Sequence, residues 1–202
     1  KLIGAYEIMV SNSYDPEAKI QLLHRVGRLC EAAEEVDRAF EAYGRALRED
    51  PANIESQARL EALADVVDGW EQVVTLYNDQ VADVMDEVLA TTLHLKVARI
   101  LEQRVVDLAR AAAAYLRLLD LDPGNVEAIE ALEQIYISTQ DHERLVEILL
   151  KRAEVVLEVE DRKALIIRAA GLYEEVLERP EEEVLADLQR QVAFVQLGQE
   201  HG

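Results

Sequence analysis

The sequence predicts an all-α solenoid, and three observations carry that prediction. First, Val36, Ala39, Phe40, Tyr43, Ala46 and Leu47 fall at i, i+3, i+4, i+7, i+10 and i+11, one stripe of an α-helix that Asp50-Pro51-Ala52-Asn53 then ends. Second, the stripe returns as Leu108, Ala111, Ala112, Tyr115, Leu118 and Leu119, followed by Asp122-Pro123-Gly124-Asn125. Pro51 and Pro123 are 72 residues apart, as are Tyr43 and Tyr115. Third, only 8 Gly and 4 Pro occur, with Pro at 16, 51, 123 and 180, so helix breakers punctuate the chain sparingly. Self-similarity at a fixed period is the signature of stacked repeats, each burying its neighbour's apolar face.

Composition narrows the function classes. Half of the 202 residues are apolar, enough for a core. No apolar run approaches the length of a membrane-spanning helix, so no membrane insertion is expected. The formal charge is −20, spread as −7 over residues 1–71, −8 over 72–143 and −5 over 144–202. Such a field repels phosphate backbones and anionic lipid heads, so nucleic acid is excluded as a partner. It serves the solubility of a long repeat surface, and its sharper reading is attraction of a basic protein or peptide. The lone Cys30 forms no intrachain disulfide and reads as a small buried hydrophobe, which fits the cytosol without being peculiar to it.

Sliding the chain on itself gives three copies, at 1–71, 72–143 and from 144 onward. Val26, Gly27 and Arg28 align with Val97, Ala98 and Arg99 at an offset of 71, and then with Ala169, Ala170 and Gly171 after a further 72. One extra residue therefore falls in the Gln103–Asp107 turn. Helix 1–11 carries Leu2, Ile3, Tyr6, Met9 and Val10 on one face. Asp15 caps the next helix, about 17–32, with Pro16 at its first position and Ile20, Leu23, Val26, Gly27 and Cys30 facing inward. Helices at about 35–48 and 53–66 follow, the latter expected to bury Ile54, Leu60, Leu63 and Ala64. The pattern then predicts helices at about 70–81, 88–104, 107–120, 124–137, 141–158 and 161–178. After a break at Arg179-Pro180 comes a terminal helix over about 181–197. No stretch alternates as a strand would. The start lacks an initiator Met and a cleavage site and looks like a cut end. Helix 1–11 aligns with the second helix of a pair whose first is missing, so the expectation is a fragment of a longer array with an exposed apolar face at that helix.

These residues resemble the tetratricopeptide repeat family, which is built of helix pairs of about 34 residues. Leu23, Val26, Gly27, Cys30, Ala39, Tyr43, Ala46 and Pro51 occupy the family's large, small and aromatic positions in the first pair. Val97, Ala98, Leu101, Ala111, Tyr115, Leu118 and Pro123 do so in the third. Glu61 and Glu133 stand where the alternate pairs should have a small residue, and Leu23 replaces the family's tryptophan. The resemblance implies one repeat domain over 1–202, a right-handed α-solenoid of antiparallel pairs totalling about ten helices. The pairs run over about 20–53, 54–90, 91–125, 126–162 and 163–198.

The resemblance also implies a concave face lined by the first helix of each pair. Carried onto this chain, its positions are Gln21, His24, Arg28 and Glu31, then Glu55, Ala58, Ala62 and Asp65. They continue with Thr92, Leu95, Arg99 and Glu102, with Glu127, Glu130, Gln134 and Ile137, and with Ala164, Ile167, Gly171 and Glu174. Such a face suits an extended peptide or a helix. Arg28 and Arg99 read either as guanidinium forks for a ligand's carboxylates or carbonyls, or as i,i+3 partners of Glu31 and Glu102. Trp70 reads as packing at a turn, and Gly44 as a close-packing residue. The four histidines are scattered, with no HExxH, CxxC, phosphate loop or nucleophile elbow. No metal, cofactor or catalysis is expected. The function implied is non-enzymatic protein binding, with a structural spacer or self-association through the end helices as the alternative.

Overall fold

The computed structural model describes residues 1–175, so the expected helix 181–197 and the break at Arg179-Pro180 lie outside the described residues. The described chain is all-α. It runs α1 Leu2–Asn12, α2 Pro16–Ala32, α3 Val36–Glu49, α4 Ile54–Val67, α5 Trp70–Asp83, α6 Glu87–Ile100, a π-helical turn Leu101–Val105, α7 Leu108–Leu121, α8 Val126–Thr139, α9 His142–Val155 and α10 Val159–Glu175. No strand occurs among the described residues.

Local chemistry sets the boundaries. Asp15 accepts from the Glu17 amide with Pro16 at the first helical position, as its sequence predicts. Asn53 and Asn125, 72 residues apart, cap α4 and α8 by accepting from Ser56 N and Ala128 N at 2.9 and 3.0 Å. Four helices end on a non-glycine residue in the left-handed region: Glu34, Asp68, Val106 and Gln140, with φ of 59°, 52°, 59° and 57°. After three of these the next amide reaches back five residues: Glu35 to the Cys30 carbonyl, Gly69 to Ala64 and Asp141 to Tyr136. After Val106 the reach is six, from the Asp107 amide to the Leu101 carbonyl at 2.9 Å. The residue inserted in the second copy is thus absorbed as one widened π turn, which leaves the cap and the following helix in phase.

The chain divides into two compact units, Lys1–Ala114 and the part from Tyr115 onward, with the boundary inside α7. In the first unit α1 packs on α2, α2 on α3, α3 on α4 and α5, α4 on α5, and α5 on α6 and the π turn. In the second, α9 packs on both α8 and α10. Sequence neighbours joined by short turns thus pack on one another, the packing rule of helical repeats. Tyr43, Tyr77, Leu23, Leu47, Leu60 and Leu93 fill the first unit's core, and Tyr115, Leu118, Ile129, Leu132 and Leu149 the second's. Burying each such side chain stabilises the fold by roughly 1.5–3 kcal/mol.

Two expectations about packing need correction. Of the α4 residues expected inside, Leu60 and Ala64 are buried and Leu63 is half-buried, while Ile54 is 80% exposed because it is the first residue of α4 and precedes the turn that seats Leu60 and Ala64. Gly44 is not forced by close packing: a Cβ there would meet Leu60 Cδ1 at 3.6 Å and Leu76 Cδ2 at 3.7 Å, ordinary contact. Close approach demands glycine instead at Gly27, whose Cβ would fall 2.5 Å from Tyr43 Cζ, and at Gly69, whose Cβ would fall 2.8 Å from Phe40 Cζ. Trp70 does pack at a turn. Its indole N–H donates to Asp65 at 2.7 Å, and the Arg104 guanidinium from the π turn lies over the ring at 5.2 Å.

Candidate functional site

The first helices of successive pairs are tied to one another by charge. Glu31 of α2 accepts from the Tyr43 hydroxyl at 2.6 Å and faces Arg59 of α4 at 3.7 Å. Glu61 of α4 accepts from the Tyr77 hydroxyl and from Lys96 Nζ of α6 at 2.7 Å. In the second unit Glu133 of α8, only 3% exposed, takes Arg152 of α9 on one oxygen and Arg168 of α10 on the other, each at 2.5 Å. Glu61 and Glu133 therefore hold a small residue's place because each is a bridge. In the first unit it joins α4 to α6, and in the second α8 to α10. Burial, and then the facing carboxylate, raise the Tyr43 and Tyr77 phenols well above the ordinary tyrosine range, so both remain donors.

The cations of these bridges are missing from the sequence reading, although a signal for two of them was present. Lys96 and Arg168 recur at the same offset of 72 as Glu61 and Glu133. Charge of one sign at a repeat position pairs with charge of the other at the next first helix, and only the offset reveals that pairing. Arg59 and Arg152 carry no such signal.

In the first unit, Gln21, His24 and Glu55 line one cleft of about 520 Å³ together with Pro16, Ile20 and Asn53. His24 is 4% exposed rather than displayed. Its Nε2 lies 2.7 Å from Ser56 Oγ and its Nδ1 3.3 Å from Glu55 Oε2. Burial lowers the pKa of the ring, which Glu55 opposes and Arg28 and Arg59 reinforce. The order Ser56, His24, Glu55 has the hydrogen-bond logic of a nucleophile relay. Yet Ser56 is fully buried, does not line the cleft, and its amide is bound by the Asn53 cap. The relay clamps α2 to the start of α4.

Arg28 is exposed, with its Nε donating to the His24 carbonyl at 3.2 Å, while Glu31 turns to Tyr43 and Arg59. Ala58, Ala62 and Asp65 are exposed on α4. Thr92 and Arg99 are exposed on α6, where Leu95 is half-buried; Glu102, in the π turn, is half-buried too. In the second unit Glu127, Glu130, Gln134 and Ile137 are exposed on α8, Glu130 accepting from Arg152 at 3.0 Å. On α10, Ala164 and Ile167 are exposed and Gly171 is half-buried; Glu174 falls within the helix. Cys30 is fully buried and its thiol pKa is raised by that burial, which makes it inert. Among the described residues no three His, Cys, Asp or Glu side chains converge as metal ligands, and no helix is long and apolar enough to cross a membrane.

Fold and packing define a class: an all-α protein of successive helices, compatible with a tetratricopeptide-like array. No protein-family model matches the chain, and no curated protein does. Among solved structures, the crystal structure of MamA protein is similar at 18% identity, with 90% of this chain and 92% of that chain covered and a TM-score of 0.42. A superposition that loose carries no argument about function.

Proposed function

We propose that the chain is a non-catalytic, tetratricopeptide-like scaffold that binds a segment of another protein along its first helices. One observation carries the reading: Glu31–Arg59 and Glu61–Lys96 hold α2, α4 and α6 side by side. On this reading their outward residues, from Gln21 and Arg28 past Ala58 and Ala62 to Thr92 and Arg99, line a face of polar groups interrupted by small ones. The small alanines leave room for a ligand's backbone, and Arg28 offers a fork for a carboxylate or carbonyl. Capture of partners by the wild-type chain and by the Arg28→Glu/Arg99→Glu variant tests this. Specific partners should be lost from the variant, and an unchanged set identified by mass spectrometry would overturn the reading.

A second reading, a self-association module, has one observation in its favour. In α1 only Val10 is buried, while Leu2, Ile8 and Met9 are 57%, 66% and 52% exposed. Light scattering across a concentration series separates the two, since a pure peptide binder stays monomeric.

A further inference from the structure

A second groove lies in the first unit, on second helices rather than first. It runs between α3 and α5 over α4, with a volume of about 630 Å³. Its floor is apolar: Phe40 and Gly44 from α3, Leu60 from α4 and Leu76 from α5. Close packing does not explain that glycine, because a Cβ fits there without strain. A glycine in the interior of a helix costs about 1 kcal/mol relative to alanine. Gly44 is itself buried at the floor, and without a side chain it keeps the floor low between Leu60 and Leu76.

The rim is acidic. Asp37 and Glu41 on α3 and Asp79 on α5 line it, all exposed, and no ion pair within the described residues engages them. Glu71, also on the rim, is already spent on a two-point pair with Arg110. Arg48 is the cation in the lining. Apolar floor and flanking carboxylates together specify an occupant of complementary chemistry. A second copy of the chain, itself at −20, would bring like charge to that rim.

We propose that this groove is a second docking site, for a basic amphipathic helix of a partner protein. An apolar anchor of that helix would sit over Gly44, and its Lys or Arg side chains would reach Asp37, Glu41 and Asp79. Helix-in-groove recognition uses apolar anchors on one stripe for affinity and flanking charge for orientation and rate. The site is independent of the strip that carries Arg28, and the two could be occupied by different segments.

The probe is a fluorescent Leu/Lys amphipathic helical peptide, titrated by anisotropy at physiological salt. Asp37→Lys/Glu41→Lys/Asp79→Lys should weaken binding at least about tenfold, a scale set by losing several close charge pairs. Glu143→Lys/Glu147→Lys/Glu154→Lys, which makes the same change of net charge on the second unit, should have little effect. Gly44→Met, which fills the floor without altering charge, should weaken binding comparably, with far-UV circular dichroism confirming the fold. Equal losses from the two charge reversals would mean diffuse attraction and overturn the site, as would unaltered binding by Gly44→Met. Concentration-dependent dimerisation abolished by Gly44→Met would overturn it as well, by assigning the groove to a second copy.

Discussion

Replacing Gly27 by alanine tests the close approach of α2 and α3 most sharply. The new Cβ would lie 2.5 Å from Tyr43 Cζ and 2.7 Å from Cε2, distances that real contacts do not reach. Tyr43 cannot swing aside, because it is fully buried and its hydroxyl is held by Glu31 at 2.6 Å. Alanine gains about 1 kcal/mol of helix propensity over glycine, whereas overpacking a filled core costs about 1–3 kcal/mol. With two ring atoms in violation the cost falls at the upper end, leaving a net loss of about 1–2 kcal/mol. Gly44→Ala is the control: its Cβ meets nothing closer than 3.6 Å, so only the propensity gain remains, about 0.5–1 kcal/mol of added stability. Urea denaturation followed by circular dichroism reads both, and the midpoints should move in opposite directions. In a Tyr43→Val background the Gly27→Ala penalty should vanish, because the clashing ring is gone. A Gly27→Ala protein as stable as the wild type would refute the described contact between the two helices.

Three further outcomes follow from the same geometry. Val106 sits at φ 59° with its side chain 69% exposed, so Val106→Asn relieves a β-branched residue from the left-handed region at little cost in burial. It should add about 1 kcal/mol, and an unchanged or lowered thermal midpoint would argue against a strained cap. Arg152→Ala/Arg168→Ala strips both partners from buried Glu133 and should destabilise by about 3–5 kcal/mol. Either single substitution, which leaves one guanidinium in place, should cost much less, and strict additivity in denaturation experiments would count against a shared bridge. His24 has its pKa lowered below 6.5 by burial, so in the window beneath that value the unfolded chain binds a proton that the folded chain refuses. Stability should therefore be full above 6.5 and fall as pH drops through that window. A denaturation series from about pH 7 to about pH 5 should show a shallower slope for His24→Gln, and parallel slopes would contradict the burial.

Periodicity alone determined the helices. A stripe recurring at i, i+3, i+4 and i+7 can bury one face only as a helix, and Asp15, Asn53 and the Asp-Pro turns mark ends through backbone chemistry that acts within a few residues. The change of offset from 71 to 72 likewise located the inserted residue in the Gln103–Asp107 turn, since a shift of register is a property of the string itself. How the insertion is accommodated, as a π turn over Leu101–Val105, required the packed helix that follows to hold its phase. Tertiary structure also decided the roles of charged residues. Glu61 and Glu133 looked like intrusions in small-residue positions, and became bridges once helices 35 residues apart in sequence were laid side by side. His24 looked like a displayed groove residue and proved to be a buried clamp, because Ser56, 32 residues away, supplies its partner. Gly27 and Gly44 are identical as letters. Only the positions of Tyr43, Leu60 and Leu76 around them make one a necessity of contact and the other a site where a methyl group would pack without strain. Local periodicity is written in neighbouring residues, whereas the desolvation and pairing of a charge depend on what distant segments bring within a few ångströms.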